Sequence, residues 1–176
     1  MRSNLVNIVT VGTKQPFNAE GAMKAARGFH GTAALLEDIH KRERVFPKGT
    51  NFDLDMLNQL MGRVVSATVL EALALELVLK VRLNRAGVAV SKEPSHAKLF
   101  AELPETDKQE AEDRYQAQRH PAMRATLAEV LTYSANVFEK WRYLHEHPHV
   151  EASMGEMQRA FESLADVEDA RGVAGA

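Results

Sequence analysis

The chain is expected to fold as an all-α, single-domain helical bundle of five or six helices. Residues 54–86 carry Leu57, Leu60, Met61, Val64 and Val65 at helical spacing, then apolar residues on almost every side from Val69 to Leu83. A helix apolar nearly all round is covered by neighbours on several sides, so this stretch predicts the central helix. Residues 122–147 carry Met123, Leu127, Val130, Leu131, Ser134, Val137, Phe138 and Trp141 at i, i+3, i+4 spacing, which predicts a long amphipathic partner. The two are expected to form the main antiparallel pair. One β-branched run, Val6–Val11, is bounded by Gly12 and Pro16, and a single strand has nothing to pair with.

Length and composition set the class. At 176 residues the chain is long enough for one buried core and short for two. It contains no cysteine, which excludes disulfides, thiolate metal sites and cysteine nucleophiles. A formal net charge of −2 argues against coating nucleic acid by bulk electrostatics, though a local basic patch stays compatible with it. The apolar run from Leu5 to Val11 is too short and mixed for a signal peptide, and the largest apolar run falls well below a membrane span. The expectation is a cytoplasmic protein.

In chain order, residues 1–19 read as an extended arm, 20–167 as the bundle and 168–176 as a disordered tail. A first helix runs from about Ala19 to Arg44, with Ala22, Ala25, Phe29, Leu36 and Ile39 on one face. Gly28 and Gly31 are expected on a packed face, where two helices approach closely. Val45–Gly49 is a loop, and Thr50 with Asp53 has the form of a capping box before the central helix. That helix should stop at Gly87, a natural residue just past a helix end. Within it Glu76 and Lys80 stand four apart with the acid first, a favourable pairing. Ser95 is placed to cap a short helix, His96–Leu103, with His96 a surface or cap-region residue. Thr106 with Gln109 suggests a second capping box, opening a charged helix that buries little beyond Ala111 and Tyr115. Pro121 suits the first position of the next helix, and Pro148 ends it. The last helix, from about Val150, shows Met154, Met157, Phe161 and Leu164 on one face.

Two groups of residues could carry chemistry. His145-Glu146-His147-Pro148-His149 matches the H-E-x-x-H spacing that places two histidines on one zinc ion with Glu as base. Pro148 removes an amide donor inside the motif and breaks the turn, and no third ligand is evident. A polar helix end is the favoured reading, and no metal site or cofactor is assigned. The second group is Arg142 with His147, and His145 beside them. A histidine can take the 2′-hydroxyl proton of RNA or protonate the leaving oxygen, while an arginine holds the phosphate charge. On a straight helix Arg142 and His147 stand about 140° apart, so a working site needs the Pro148 break or a second copy of the chain. The alternative is structural: Arg142 paired with a core acid, Glu76 or Glu71. Arg114 and His120 have a similar spacing.

Three stretches carry a family resemblance. Ala72–Lys80 is similar to the "ALE-x-x-LK" helix of the HEPN superfamily. Ser95–Leu103 resembles its short "H-D-L-x-x-L-F" helix, with Ala97-Lys98 departing from the pattern. Phe138–Glu146 is similar to an "F-x-x-W-R-Y-x-x-E" segment of some members. The resemblance covers about half of the chain. It implies an up-and-down helical core, a homodimer, and work in a prokaryotic toxin–antitoxin or defence system. Many members are metal-independent ribonucleases with an R-x4–6-H motif at a dimer interface, a spacing that Arg142 and His147 meet. Tyr143 stands where active members commonly carry Asn, Asp or His. Other members are non-catalytic modules that bind nucleotides or partners. The resemblance therefore implies RNA, a second copy of the chain, and a cognate antitoxin or regulatory protein as candidate partners.

Overall fold

The computed structural model describes residues 16–43, 54–92, 95–118, 125–135 and 153–173. Among the described residues there are six helices and no strand: α1 (Ala19–Glu43), α2 (Leu54–Arg85), α3 (His96–Ala101), α4 (Glu105–Gln118), α5 (Leu127–Ser134) and α6 (Met154–Val173). The chain is an all-α helical bundle. Among the described residues no helix is long and apolar enough to cross a membrane.

α2 is the hub, as its pattern predicts. At 32 residues it spans about 48 Å. From Ala67 onward it is covered on successive sides by α1, α6 and α3. Ala72, Ala74, Leu75, Val78, Leu79, Val81 and Leu83 are all buried. Its C-terminus closes as a Schellman motif: Val88 N–H bonds Leu83 O at 2.9 Å and Gly87 N–H bonds Asn84 O at 3.1 Å. Gly87 carries the positive φ of 74° that this closure requires. A Cβ there would meet no atom within 4 Å, so Gly87→Ala is expected to lose about 1 kcal/mol through backbone strain alone. Urea denaturation measures that loss.

The principal partner of α2 is α1, which runs antiparallel to it: His30 meets Glu71, and His40 lies level with Arg63. The expected partner, residues 122–147, is helical among the described residues only from Leu127. It packs on α3, α4 and α6. The reason for the late start is local. Thr126 is the N-cap and forms a capping box with Glu129, each bonding the other's backbone N–H, and Glu112 of α4 accepts from Leu127 N–H at 2.9 Å. Pro121 and the stretch 136–152 lie outside the described residues, as do residues 1–15 and the Thr50–Asp53 pair.

Other boundaries shift by a residue or a turn. Thr106 lies inside α4, because Pro104 O accepts from Asp107 and Lys108 N–H and starts the helix earlier. Ser95 occupies the N-cap of α3 without a side-chain capping bond. α6 begins at Met154, where Ser153 O accepts from Glu156 and Met157 N–H, and it continues past residue 167 to Val173. Gly28 and Gly31 are not on a packed face. Both are exposed, and a Cβ on either would touch nothing. The buried face of α1 is centred one residue round from the expected one, at Met23, Ala26 and Ala33, while Ala22 and Phe29 of the expected face pack partly buried against the core.

Candidate functional site

The three helices α1, α2 and α6 enclose a polar seam. α1 contributes His30, Glu37 and His40, which continue the stripe of Met23, Ala26 and Ala33 at alternating three- and four-residue steps. They therefore point at α2 rather than at solvent. α2 answers with Arg63, Ala67 and Glu71, four residues apart on its own face. The Glu71 side chain is fully buried. His30 Nδ1 stands 3.0 and 3.1 Å from its two carboxylate oxygens. The imidazole stacks on Phe161 of α6, centroids 4.3 Å apart and planes 17° from parallel. Its other nitrogen, Nε2, lies 4.0 Å from Glu162 Oε1.

Electrostatics bind a proton in this pair. For His30, burial alone would disfavour the imidazolium, but the hydrogen bond and charge of Glu71, with the charge of Glu162, outweigh it and raise its pKa. Burial raises the pKa of Glu71, opposed by His30 and reinforced by Glu162 and Glu37. The pair thus keeps one shared proton to higher pH than a free imidazole would. At the far end of the seam a cavity of about 150 Å³ is lined by His40, Arg63, Thr68 and Met154 among others. That is room for a few ordered waters, and His40 Nδ1 is buried with no hydrogen-bond partner among the described residues.

A second buried histidine joins three helices. His96 is 3% exposed, not a surface residue as its place after Ser95 suggested. Its Nε2 donates to Ala72 O at 2.9 Å, and its Nδ1 lies 3.0 Å from Ser134 Oγ. A carbonyl can only accept, so the neutral imidazole carries its proton on Nε2 and accepts from the serine at Nδ1. Burial, with the charge of Lys80, pushes its pKa down to about 4 despite the Ala72 bond. At neutral pH it is an uncharged strut, unsuited to proton transfer. Tyr115 and Arg159 similarly converge on Glu156, tying α4 to α6.

Arg142, His145 and His147, with His149, lie outside the described residues. The two acids considered as partners for Arg142 are engaged elsewhere: Glu76 by Lys80, as its spacing predicted, and Glu71 by His30. Among the described residues no three His, Asp or Glu side chains are grouped to hold a metal ion. The His30–Glu71 pair escapes a reading built on apolar spacing, because half of the α1 face is polar. The signal for it is an acid, Glu71, inside a stretch apolar all round, which needs a partner from another helix.

No protein-family model, curated protein or solved structure matches the chain.

Proposed function

We propose that the chain is a HEPN-like helical protein of a toxin–antitoxin or defence system that acts on RNA. Arg142 and His147, with His145 beside them, form its metal-independent catalytic group, and a second copy of the chain completes the site. The supporting observation is that two of the three stretches carrying the resemblance, Ala72–Lys80 and Ser95–Leu103, meet in the core, where His96 bonds Ala72 O. Motif residues that contact one another across 24 positions belong to one packed unit. His30 and His96 are engaged in holding helices together; the assignment of the chemistry to Arg142 and His147 rests on their R-x4–6-H spacing. In that chemistry the histidine takes the 2′-hydroxyl proton and the arginine stabilises phosphate charge.

A second reading is a non-catalytic helical interaction or nucleotide-binding module of the same fold, and Tyr143 after Arg142 favours it. Incubation of a mixed-sequence RNA with the protein in EDTA separates the two. Cleavage leaving a 2′,3′-cyclic phosphate is expected, lost in Arg142→Ala and His147→Ala while both variants melt as the parent does. RNA left intact at all protein concentrations would overturn the ribonuclease reading. Cleavage that requires added zinc would overturn the metal-independent chemistry and point to His145 and His149.

A further inference from the structure

We propose that His30 and Glu71 form a proton-dependent latch that holds α1 on α2, so that loss of their shared proton releases α1. The geometry is that of a clamp. One imidazole on α1 spans both oxygens of a fully buried carboxylate on α2, while its ring lies flat on Phe161 of α6 and its far nitrogen faces Glu162. Three helices meet at this ring.

The pair sits inside the apolar stripe of α1. Met23, Ala26 and Ala33 are buried on either side of His30, with Ala22 and Phe29 partly buried against the core. A change of charge at His30 and Glu71 therefore falls in the middle of the contact between α1 and α2.

The charges around the pair set the direction of the switch. From α2 the imidazole is faced by Glu71 and from α6 by Glu162. On α1 itself Arg27 precedes it by one turn and Glu37 follows by two, and Glu37 pairs with Lys41 at 2.8 Å. While the proton is present, the buried carboxylate has a cationic partner. Once it leaves, Glu71 is a fully buried anion bonded to a neutral ring, with the carboxylates of Glu162 and Glu37 nearby. A buried charge stripped of its counter-charge is strongly unfavourable, and separating α1 from α2 lets water reach it. Both groups bind protons more tightly in the folded state, so the contribution is present at low pH and lost as pH rises through the pair's own pKa. Release would uncover Glu71 and the Ala67–Ala74 strip of α2.

Hydrogen exchange of α1 amides, corrected for the intrinsic pH dependence of exchange, tests this on the full chain. Between about pH 6 and pH 8.5, protection over Ala26–Ala34 is expected to fall about tenfold or more relative to α4. In Glu71→Gln, where the amide oxygen still accepts from a neutral His30, the same comparison is expected to change by less than about threefold. In the parent protein the His30 imidazole should titrate above 6.5, with a midpoint that coincides with the loss of α1 protection. An equal fall in Glu71→Gln and parent would overturn the latch. So would a His30 midpoint at or below 6.5, a measurement that stands even where Glu71→Gln fails to fold.

Discussion

Leu79→Ala is expected to destabilise the protein by about 2–5 kcal/mol, the range for deleting a fully buried leucine side chain from a packed core. Leu79 is fully buried on α2, in the stretch that α1, α3 and α6 enclose. A cavity there has walls on three helices, which limits how far the site can collapse. Met61 lies in the same helix and is 53% exposed, so Met61→Ala is expected to change stability by no more than about 0.5 kcal/mol. Urea denaturation of the two variants beside the parent reads the contrast. Equal, small losses would mean that α2 is not the hub.

The burial of Leu79 was legible because apolar residues lie on almost every side from Val69 to Leu83, interrupted only by Glu71, Glu76, Lys80 and Arg82; the exposure of Met61 was not, because it falls on the same apolar stripe as Leu57, Leu60 and Val64. The Gly87 stop was legible for an equally local reason, since a positive φ favours glycine. The α1 face was not. Its stripe at Met23, Ala26, Ala33 alternates with His30, Glu37 and His40, and a rule that accepts only apolar residues slides to the neighbouring set Ala22, Ala25, Phe29. Gly28 and Gly31 were misplaced by the same one-residue rotation. Thr126-Leu127-Ala128-Glu129 is a plain capping box in the sequence, but the longer apolar stripe beginning at Met123 conceals it. Periodicity continues smoothly through a cap, because a cap is a backbone event.

Acidification is expected to cost about 3 kcal/mol between pH 6.5 and 4 through His96. Its folded pKa lies near 4 against an ordinary 6.5, and each unit corresponds to roughly 1.4 kcal/mol. The sign follows from proton uptake. The unfolded chain protonates His96 first, so the stabilisation is complete above 6.5 and is lost as pH falls toward the folded pKa. His30 and Glu71 act in the opposite sense, because both hold their protons more tightly when folded. Stability is therefore expected to fall away on both sides of an optimum, with the acid limb due to His96 and the alkaline limb to the latch. His96→Gln, compared with the parent by denaturation at several pH values, should flatten the acid limb while lowering stability at neutrality, since one of the two hydrogen bonds is weakened. An unaltered acid limb in that variant would assign it to other groups.

The candidate site was legible only in its requirement, not in its partners. Glu71 in an apolar stretch announces a buried acid in need of a cation, but 41 residues separate it from His30, and helical spacing cannot choose among cations on other helices. The burial of His96 was not legible, because a histidine after a capping serine looks the same in sequence whether its helix lies on the surface or against Ala72. The fold joins the two stretches both through this side chain and through the shared core of Leu75, Leu79, Leu99 and Phe100.

The most direct measurement of the account is accordingly an NMR titration of the histidine imidazoles, with His96 identified by its loss in His96→Gln. The account predicts a neutral His96 with its proton on Nε2 across the physiological range, titrating near pH 4. A His96 that titrates near 6.5, as a solvated imidazole does, would contradict it, removing the buried hydrogen bond that ties Ser95–Leu103 to Ala72–Lys80.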